Sequence, residues 1–282
     1  MAYLVLYNPL AGNGMGKKNL DLVSSFAEKN DCEFRDVTTE QDLGRLLEEF
    51  PDRDIILVGG DGTLNNFINS VDTAKVERNI YFLSSGSGND FLNDIAHSLD
   101  DGPVKINRYL KGLPTVIING EEHRFINGIG FGLDGYCCEE GDRVRARTDK
   151  PVNYTPIALK GFLYAYKPRN AIVMVDGKEH IFKKVWIAPT MMGRFFGGGM
   201  KVAPDQDRLS SDRTVTTVIV SGISKLFCLM QFPKIFRGEH KSLKGVDIFK
   251  GKNVTVRFDR PTPLQVDGET YNGITEYSVR VD

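Results

Sequence analysis

The chain has 282 residues, of which 41% are hydrophobic and 26% are charged, so it can form a real hydrophobic core and has room for two modest domains. Its 36 basic and 37 acidic residues nearly cancel, which argues against a nucleic-acid partner because that function needs a broadly basic surface. The four cysteines have no metal-binding spacing, and we interpret them as reduced structural thiols.

The N-terminal residues 1–9 predict a short strand rather than a signal peptide, because they lack a basic start and a long apolar run. The most apolar later stretch, residues 215–236, contains Lys225 and Pro233, which disfavour a membrane-spanning helix. We therefore expect a cytoplasmic protein whose contact with a membrane is local and transient.

Apolar and amphipathic segments alternate through the first third of the chain. Strands are predicted at about 3–7, 32–37, 54–58 and 79–83, and helices at about 16–30, 40–50, 63–71 and 89–99. This alternation predicts a doubly wound parallel sheet with helices on both faces. Ligands of such sheets bind at the carboxyl ends of the strands.

From about Lys111 the pattern changes to short β segments separated by turn dipeptides. The dipeptides are Asn119-Gly120, Asp176-Gly177, Asp267-Gly268 and Asn272-Gly273. We therefore predict an α/β nucleotide-binding domain over residues 1–112 and a mainly antiparallel β domain over 113–282, with helices near 153–166 and 222–236. A return of the C-terminal strand to the first domain is an open alternative.

The third predicted strand runs into the glycine-rich turn 59–63, which is followed by a helical pattern. Glycines let bare backbone N–H groups approach an anion, and the start of a helix adds unpaired donors, so this turn suits the phosphates of a nucleotide. A tight strand-to-helix connection without a ligand is the alternative. The earlier segment 11–18 matches neither the Walker loop nor the dinucleotide fingerprint.

Two more polar turns follow predicted strands. Asn8 comes after the first strand, and the turn 85–90 comes after the fourth, where Asn89 or Asp90 can also serve as a helix cap. Because the carboxyl ends of parallel strands meet at one edge, we expect all three turns to converge there.

Six segments in order carry a family resemblance: YNPLAG at 7–12, GGDGTLNNFIN at 59–69, SGSGNDF at 85–91, NGIGFGLDG at 127–135, GGGMKVAPDQ at 197–206 and VDGE at 266–269. Together they resemble the diacylglycerol kinase catalytic-domain superfamily of lipid kinases. The resemblance implies a nucleotide-binding α/β domain, a C-terminal antiparallel β-sandwich, and an active site in the cleft between them.

The resemblance also implies roles for particular residues. Nucleotide binding falls to Asn8, Gly59, Gly60, Asp61, Gly62, Thr63, Ser85, Gly86, Gly88 and Asn89. Catalysis falls to Asp61, Asp90 and Glu269, with Glu269 as the base that takes the proton of the acceptor hydroxyl. Asp61 and Asp212 are the candidate magnesium ligands. A purely structural role of Asp61 in its turn is the alternative.

Several positions depart from the family pattern or stay ambiguous. Asn66 stands where many members have glutamate, and Asn93 stands where an arginine is common, for which Lys17, Lys18 or Arg194 can substitute. Arg213 replaces a common glycine, which puts an ion at Asp212 in doubt. Asp134 matches a segment near the acceptor side, but an aspartate in such a turn is as often structural.

Residues 154–169 combine apolar side chains, among them Phe162 and Tyr166, with basic ones, and arginines occupy positions 143, 145 and 147 just before. This segment can be an interfacial element that meets anionic lipid, or a core helix with a solvated basic rim.

We therefore predict an ATP-dependent lipid kinase, with ATP and Mg²⁺ as cofactors and a lipid acceptor such as diacylglycerol at the membrane surface. The alternatives are a NAD kinase, which shares GGDGT, and a catalytically silent lipid- or nucleotide-binding protein of the same fold. A homodimer is open, and no nucleic-acid partner is expected.

Overall fold

A computed structural model describes residues 1–11, 24, 30–84, 89–97, 102–147 and 152–282. The chain divides into two compact units, Met1–Lys111 and Gly112–Asp282. The helix predicted at about 16–30 lies almost wholly outside the described residues, as do Lys17 and Lys18.

The first unit contains a five-stranded sheet with the order β2-β1-β3-β4-β5. Its strands are β1 (Ala2–Tyr7), β2 (Asp31–Asp36), β3 (Asp54–Gly59), β4 (Ile80–Ser84) and β5 (Val104–Lys105). The first four are parallel and the short β5 is antiparallel to β4. The parallel sheet predicted from the alternating pattern is confirmed.

Three helices of the first unit are described: α1 (Leu43–Glu49), α2 (Asp61–Ser70) and α3 (Asp90–Asp94). Asp42 caps α1, because its side chain accepts a hydrogen bond from the Arg45 N–H. The helix predicted to run to about residue 99 ends at Asp94, and Ala96 then has a φ of 54°, which a right-handed helix cannot contain.

The core of the first sheet consists of buried apolar side chains on its central strands. One cluster joins Tyr3, Val5, Ile56, Val58 and Leu83. Continuous apolar runs of this kind are typical of parallel strands that are buried on both faces. This packing holds the strands in position and therefore determines where the polar turns at their carboxyl ends lie.

The second unit contains an antiparallel sheet system with the strand order β15-β14-β8-β10-β9-β13-β16-β6-β7, to which β11 and β12 are joined through β10. Its strands are β6 (Thr115–Ile118), β7 (Glu121–Arg124), β8 (Gly128–Gly132), β9 (Arg169–Val175), β10 (Lys178–Met191), β11 (Val215–Ser221), β12 (Val246–Gly251), β13 (Asn253–Phe258), β14 (Leu264–Val266), β15 (Glu269–Tyr271) and β16 (Glu276–Arg280). The predicted antiparallel β-sandwich class is confirmed.

Three of the predicted turn dipeptides close hairpins, namely those at 119–120, 176–177 and 267–268. In each, both residues have positive φ, as the tight turns of twisted hairpins require. The fourth dipeptide, at 272–273, connects β15 and β16, which do not pair with each other. The last strand, β16, pairs with β13 and β6 of the second sheet, so it does not return to the first unit.

The second unit also contains α4 (Leu133–Arg145), α5 (Tyr154–Lys160), which continues as a π-helical turn over Gly161–Ala165, and α6 (Lys225–Arg237). The last two match the helices predicted near 153–166 and 222–236. Helix α4 was not predicted: the sequence analysis placed Asp134 in a turn, whereas it lies in the first turn of this helix.

A large apolar cluster lies among the strands of the second unit and includes Phe125, Phe131, Val173, Val256 and Tyr277. A second cluster, with Trp186, Phe162 and Tyr166, packs the π-helical turn against β10 and α6. Each unit therefore has a core of its own. All four cysteines are free thiols, as predicted.

Candidate active site

The three polar turns of the first unit meet at the carboxyl edge of its sheet. Asn8 follows β1, and its Nδ2 donates a hydrogen bond to the Thr63 Oγ1 at 2.9 Å. The Asp61 carboxylate accepts hydrogen bonds from the backbone N–H of Asp90 at 2.9 Å and of Phe91 at 3.3 Å. The prediction that these turns converge is therefore confirmed, and specific hydrogen bonds join all three.

Gly59 fits this edge because it has no side chain. A Cβ atom there would lie 2.4 Å from the Cβ and Oγ1 of Thr63, closer than any packed pair of atoms. Gly60 then occupies the N-cap of α2 in an extended conformation and provides no capping side chain. The first-turn N–H groups of α2, which begins at Asp61, thus keep the positive end of the helix dipole available to an anion.

The turn before α3 is organised differently from the sequence expectation. Asn89 has a φ of 50°, and its side chain does not cap the helix but accepts a hydrogen bond from the Ser84 hydroxyl. The carboxylate that caps α3 comes from Asp61 on the neighbouring turn. Asp90 itself is buried. The other predicted members of this turn, Ser85, Gly86 and Gly88, lie outside the described residues.

The VDGE segment forms the predicted hairpin between β14 and β15, with Val266 paired to Glu269. Asp267 anchors it: its carboxylate accepts hydrogen bonds from the backbone N–H groups of Ile126, Asn127 and Gly128 at 2.7 to 2.9 Å. The side chain of Glu269 is exposed, and within the described part of the chain it makes no hydrogen bond or ion pair. The carboxylate is therefore accessible at the end of a rigid turn.

Gln265, which sequence reasoning missed, supports the same turn. Its buried Oε1 accepts a hydrogen bond from the Gly268 N–H at 3.0 Å, and its Nε2 lies 3.5 Å from an Asp134 Oδ2. Arg208 was missed as well: it donates to the Ile126 carbonyl at 3.1 Å and to the Asn127 side chain at 3.3 Å. Neither residue belongs to a short motif, so only the folded structure identifies them.

Asp134 is buried at the start of α4, where burial raises the pKa of its carboxyl from 3.8 to about 6, partly offset by its own N–H, that of Gly135 and Gln265. One of its oxygens, Oδ1, has no hydrogen-bond partner among the described residues. Gly130 provides the necessary room, because a Cβ there would lie 2.6 Å from the other oxygen. An ionised carboxylate in this place is costly, which marks Asp134 as a strained position.

Asp212, the other candidate magnesium ligand, lies in a turn of the second unit. It is exposed, and the hydroxyl of Ser210 donates to it and lowers the pKa of its carboxyl. The described residues contain no cluster of three or more potential metal ligands from histidine, cysteine, aspartate or glutamate. Arg213 has a φ of 46°, a conformation that glycine adopts more readily.

The departures from the family pattern are exposed positions. Asn66 lies on the outer side of α2 within 3.3 Å of the Ser70 hydroxyl, and Asn93 is exposed on α3. Arg194, considered as a substitute for the arginine missing at position 93, lies over the ring of Phe195 at 5.7 Å in the second unit.

No helix among the described residues is long and apolar enough to cross a membrane.

Comparison with known families agrees with both units. Residues 2–124 match the family model of the diacylglycerol kinase catalytic domain. Residues 127–281 match that of the YegS C-terminal NAD kinase beta sandwich-like domain. The chain belongs to the diacylglycerol kinase catalytic-domain superfamily.

Individual members of this superfamily resemble the chain over nearly its whole length. It is 26% identical to YtlR of Bacillus subtilis, a candidate lipid kinase, over 95% of this chain and 93% of the relative. A diacylglycerol kinase of the same organism is 24% identical, over 96% of this chain and 90% of its own. A crystal structure of a candidate diacylglycerol kinase from Bacillus anthracis superposes with a TM-score of 0.69 at 18% identity, covering 100% of this chain and 94% of that one, and so supports the fold.

Proposed function

We propose that the protein transfers the γ-phosphoryl group of ATP to the hydroxyl of a lipid such as diacylglycerol. The observation that carries this proposal is the junction of three turns at one sheet edge, through the Asn8–Thr63 and Asp61–Asp90 hydrogen bonds. Family membership and the names of the relatives support the same reaction class.

In this proposal the turn from Gly59 to Thr63 and the start of α2 bind the phosphates. The Thr63 Oγ1 accepts a hydrogen bond from Asn8, so in this proposal the Thr63 hydroxyl donates its proton to a phosphate oxygen. Asp61 orients the neighbouring turn through two backbone N–H groups, and Asp90 follows directly on that turn. These contacts hold the phosphate-binding groups in place before the substrate arrives.

Magnesium fits Asp61 better than Asp212. Magnesium needs only one or two carboxylates beside the phosphate oxygens, and Asp61 lies in the first turn of α2, where we propose that the phosphates bind. When bound, the ion would neutralise charge on the transferring phosphoryl group. Asp61 is the residue that we propose to hold it, and Asp212 is given no role.

Glu269 is the proposed general base. As the acceptor oxygen forms its bond to the γ-phosphorus, the bond from that phosphorus to the bridging oxygen of ATP breaks, and the hydroxyl proton passes to the Glu269 carboxylate. The products are ADP and a lipid phosphate. The exposed side chain on a turn anchored by Asp267 suits this role, because the carboxylate is accessible while its backbone is fixed.

The test is a panel of acceptors offered with γ-labelled ATP: dispersed diacylglycerol, other lipids with free hydroxyls, and NAD. We expect label in at least one lipid and none in NAD. Label in NAD alone would replace the proposal with the NAD kinase alternative, and no transfer to any acceptor would favour a silent binding protein. A cytoplasmic location and a homodimer stay predictions from the sequence.

A further inference from the structure

The exposed apolar side chains of the second unit are concentrated on two neighbouring helices. Tyr164 on the π-helical turn is 78% exposed, and Leu226 and Met230 on α6 are 68% and 63% exposed. Leu159 on α5 is exposed as well. We call these four residues the helix-pair face. Large apolar side chains exposed as a group typically mark a binding surface.

The two helices pack against each other, so the helix-pair face is continuous. The ring of Phe162 lies 5.1 Å from that of Phe232, and the Lys225 Nζ donates to the Leu163 carbonyl at 2.9 Å. Leu163 precedes Tyr164, and Lys225 precedes Leu226, so this hydrogen bond joins the two helices close to two of the exposed residues.

Other residues of the two helices pack against the hydrophobic core. Phe162, Tyr166 and Cys228 are buried against Trp186 in one cluster. On α6 the buried Cys228 lies about 200° around the helix from Leu226, given 100° per residue, so the exposed residues occupy the opposite side. Packing of the helix pair therefore does not explain why Leu226, Met230 and Tyr164 are apolar.

The charged side chains on the two helices themselves are all basic, although Lys160 is paired with Glu140 at 3.4 Å and Arg237 with Glu239 at 2.9 Å. Residues 154–169 and 224–238 contain no acidic residue, although the whole chain has a net charge of −1. Their basic residues are Lys160, Lys167, Arg169, Lys225, Lys234 and Arg237. Apolar side chains flanked by lysines are the pattern of helices that lie in the headgroup region of an anionic bilayer.

The arginines that precede the interfacial segment of the sequence analysis are less suited to docking than the helices themselves. Arg143 is paired with Glu139 at 2.6 Å and also with Glu140, and Arg145 is paired with Asp142 on the same helix. Their charges are thus balanced by neighbouring acids. Of the segment considered in the sequence analysis, residues 154–169 therefore remain as part of the docking surface, and α6 is added to them.

We propose that the helix-pair face docks on an anionic lipid bilayer and inserts Tyr164, Leu226 and Met230 among the headgroups. This deepens the proposed function, since an acceptor dissolved in a bilayer has to be reached from its surface. A second copy of the chain is the rival occupant, but two helices whose own charged side chains are all basic would repel the same helices of another copy.

The experiment measures flotation of the full chain with vesicles of mixed phosphatidylcholine and phosphatidylglycerol, without acceptor lipid or ATP. We expect Leu226→Ser/Met230→Ser to lower the partition coefficient at least about tenfold, because the lost apolar burial is of that order. The matched control is Ile181→Ser, which removes a side chain that is 69% exposed on β10. Added salt and pure phosphatidylcholine vesicles should each weaken binding by the wild type.

Unchanged vesicle binding by the double variant would overturn the proposal. So would a shift of the double variant from dimer to monomer in sedimentation with flotation unaffected, which would assign the face to a second copy. Thermal unfolding checks that the variant is folded. Activity on detergent-dispersed lipid is measured separately, so vesicle binding without kinase activity, or the reverse, separates failure of the proposed reaction from failure of docking.

Discussion

Asp61 has two tasks that a single carboxylate can combine. Its oxygens hold the backbone of Asp90 and Phe91, and they lie at the end of the helix that we propose to bind phosphate. The structural alternative considered for Asp61, a residue that stabilises its own turn, is therefore incomplete: the residue stabilises the neighbouring one.

Replacement of Asp61 by Asn separates these tasks. Asn keeps one acceptor oxygen for the 2.9 Å bond from the Asp90 N–H, but it loses the charge and the longer bond from Phe91. We therefore expect the turn to survive with some loss of stability, while phosphoryl transfer falls by roughly 10²-fold or more, the scale on which a preorganised electrostatic group acts. Initial rates at saturating ATP and a thermal unfolding curve are the measurements. Asp52→Asn, at an exposed acid of the same unit, is the control. A wild-type rate would remove Asp61 from the mechanism.

Asp134 gives a prediction about pH and stability. Because the pKa of its carboxyl in the folded protein is raised from 3.8 to about 6, the folded state is favoured by the protonated form, and this contribution is lost as the pH rises through about 6. Asp134→Asn stays neutral, so we expect it to raise the free energy of unfolding by about 1 to 3 kcal/mol at pH 8 relative to wild type.

The gain in the free energy of unfolding from Asp134→Asn should disappear at pH values below 3.8, where Asp134 of the wild type is protonated in both the folded and the unfolded protein. Urea unfolding at several pH values measures it, with Asp247→Asn at an exposed position as the comparison. If Asp134→Asn lowered the free energy of unfolding by the same amount at pH 8 and at low pH, the ionised Asp134 carboxylate would not be unfavourable in the folded protein.

At the scale of elements, the strand-to-helix connection from β3 to α2 depends on the close approach of Gly59 to Thr63. We expect Gly59→Ala to displace Thr63 and break its hydrogen bond with Asn8. ATP binding should then weaken at least about tenfold. The overpacking should lower the free energy of unfolding by about 1 to 3 kcal/mol. Calorimetric titration with ATP measures the effect. Gly44→Ala on α1 serves as the control, because the new Cβ would meet the Asp42 Oδ1 at 3.2 Å and the Ser70 carbonyl oxygen at 3.9 Å, a much milder approach.

The sequence predicted elements well where a local pattern determines them. The continuous apolar run 55–58 specifies a buried strand, and Asp267-Gly268 specifies a tight turn with two positive φ angles. Helix α4 was not predicted because the glycines of GFGLDG, at its start, indicate a turn and because its later residues are only weakly amphipathic. Other contacts join residues far apart in sequence, so no local pattern predicts them: Gln265 with Asp134, Arg208 with Ile126, and Asp267 with residues 126–128.

At the scale of the whole molecule, the proposed phosphate-binding residues belong to Met1–Lys111, whereas Glu269 belongs to Gly112–Asp282. Each unit has its own hydrophobic core, so a substitution in one unit should leave the other folded. A loss of phosphoryl transfer without a loss of nucleotide binding is therefore the expected result of removing the base.

The most direct test measures transfer of the γ-phosphoryl group to dispersed diacylglycerol by wild type and Glu269→Gln, with ATP affinity determined separately. Gln keeps the size of the side chain but cannot take the proton. We predict unchanged ATP affinity and a transfer rate lower by roughly 10²-fold or more, the usual contribution of a general base. Near-normal turnover by Glu269→Gln would contradict the assignment of Glu269 as the base of a lipid kinase.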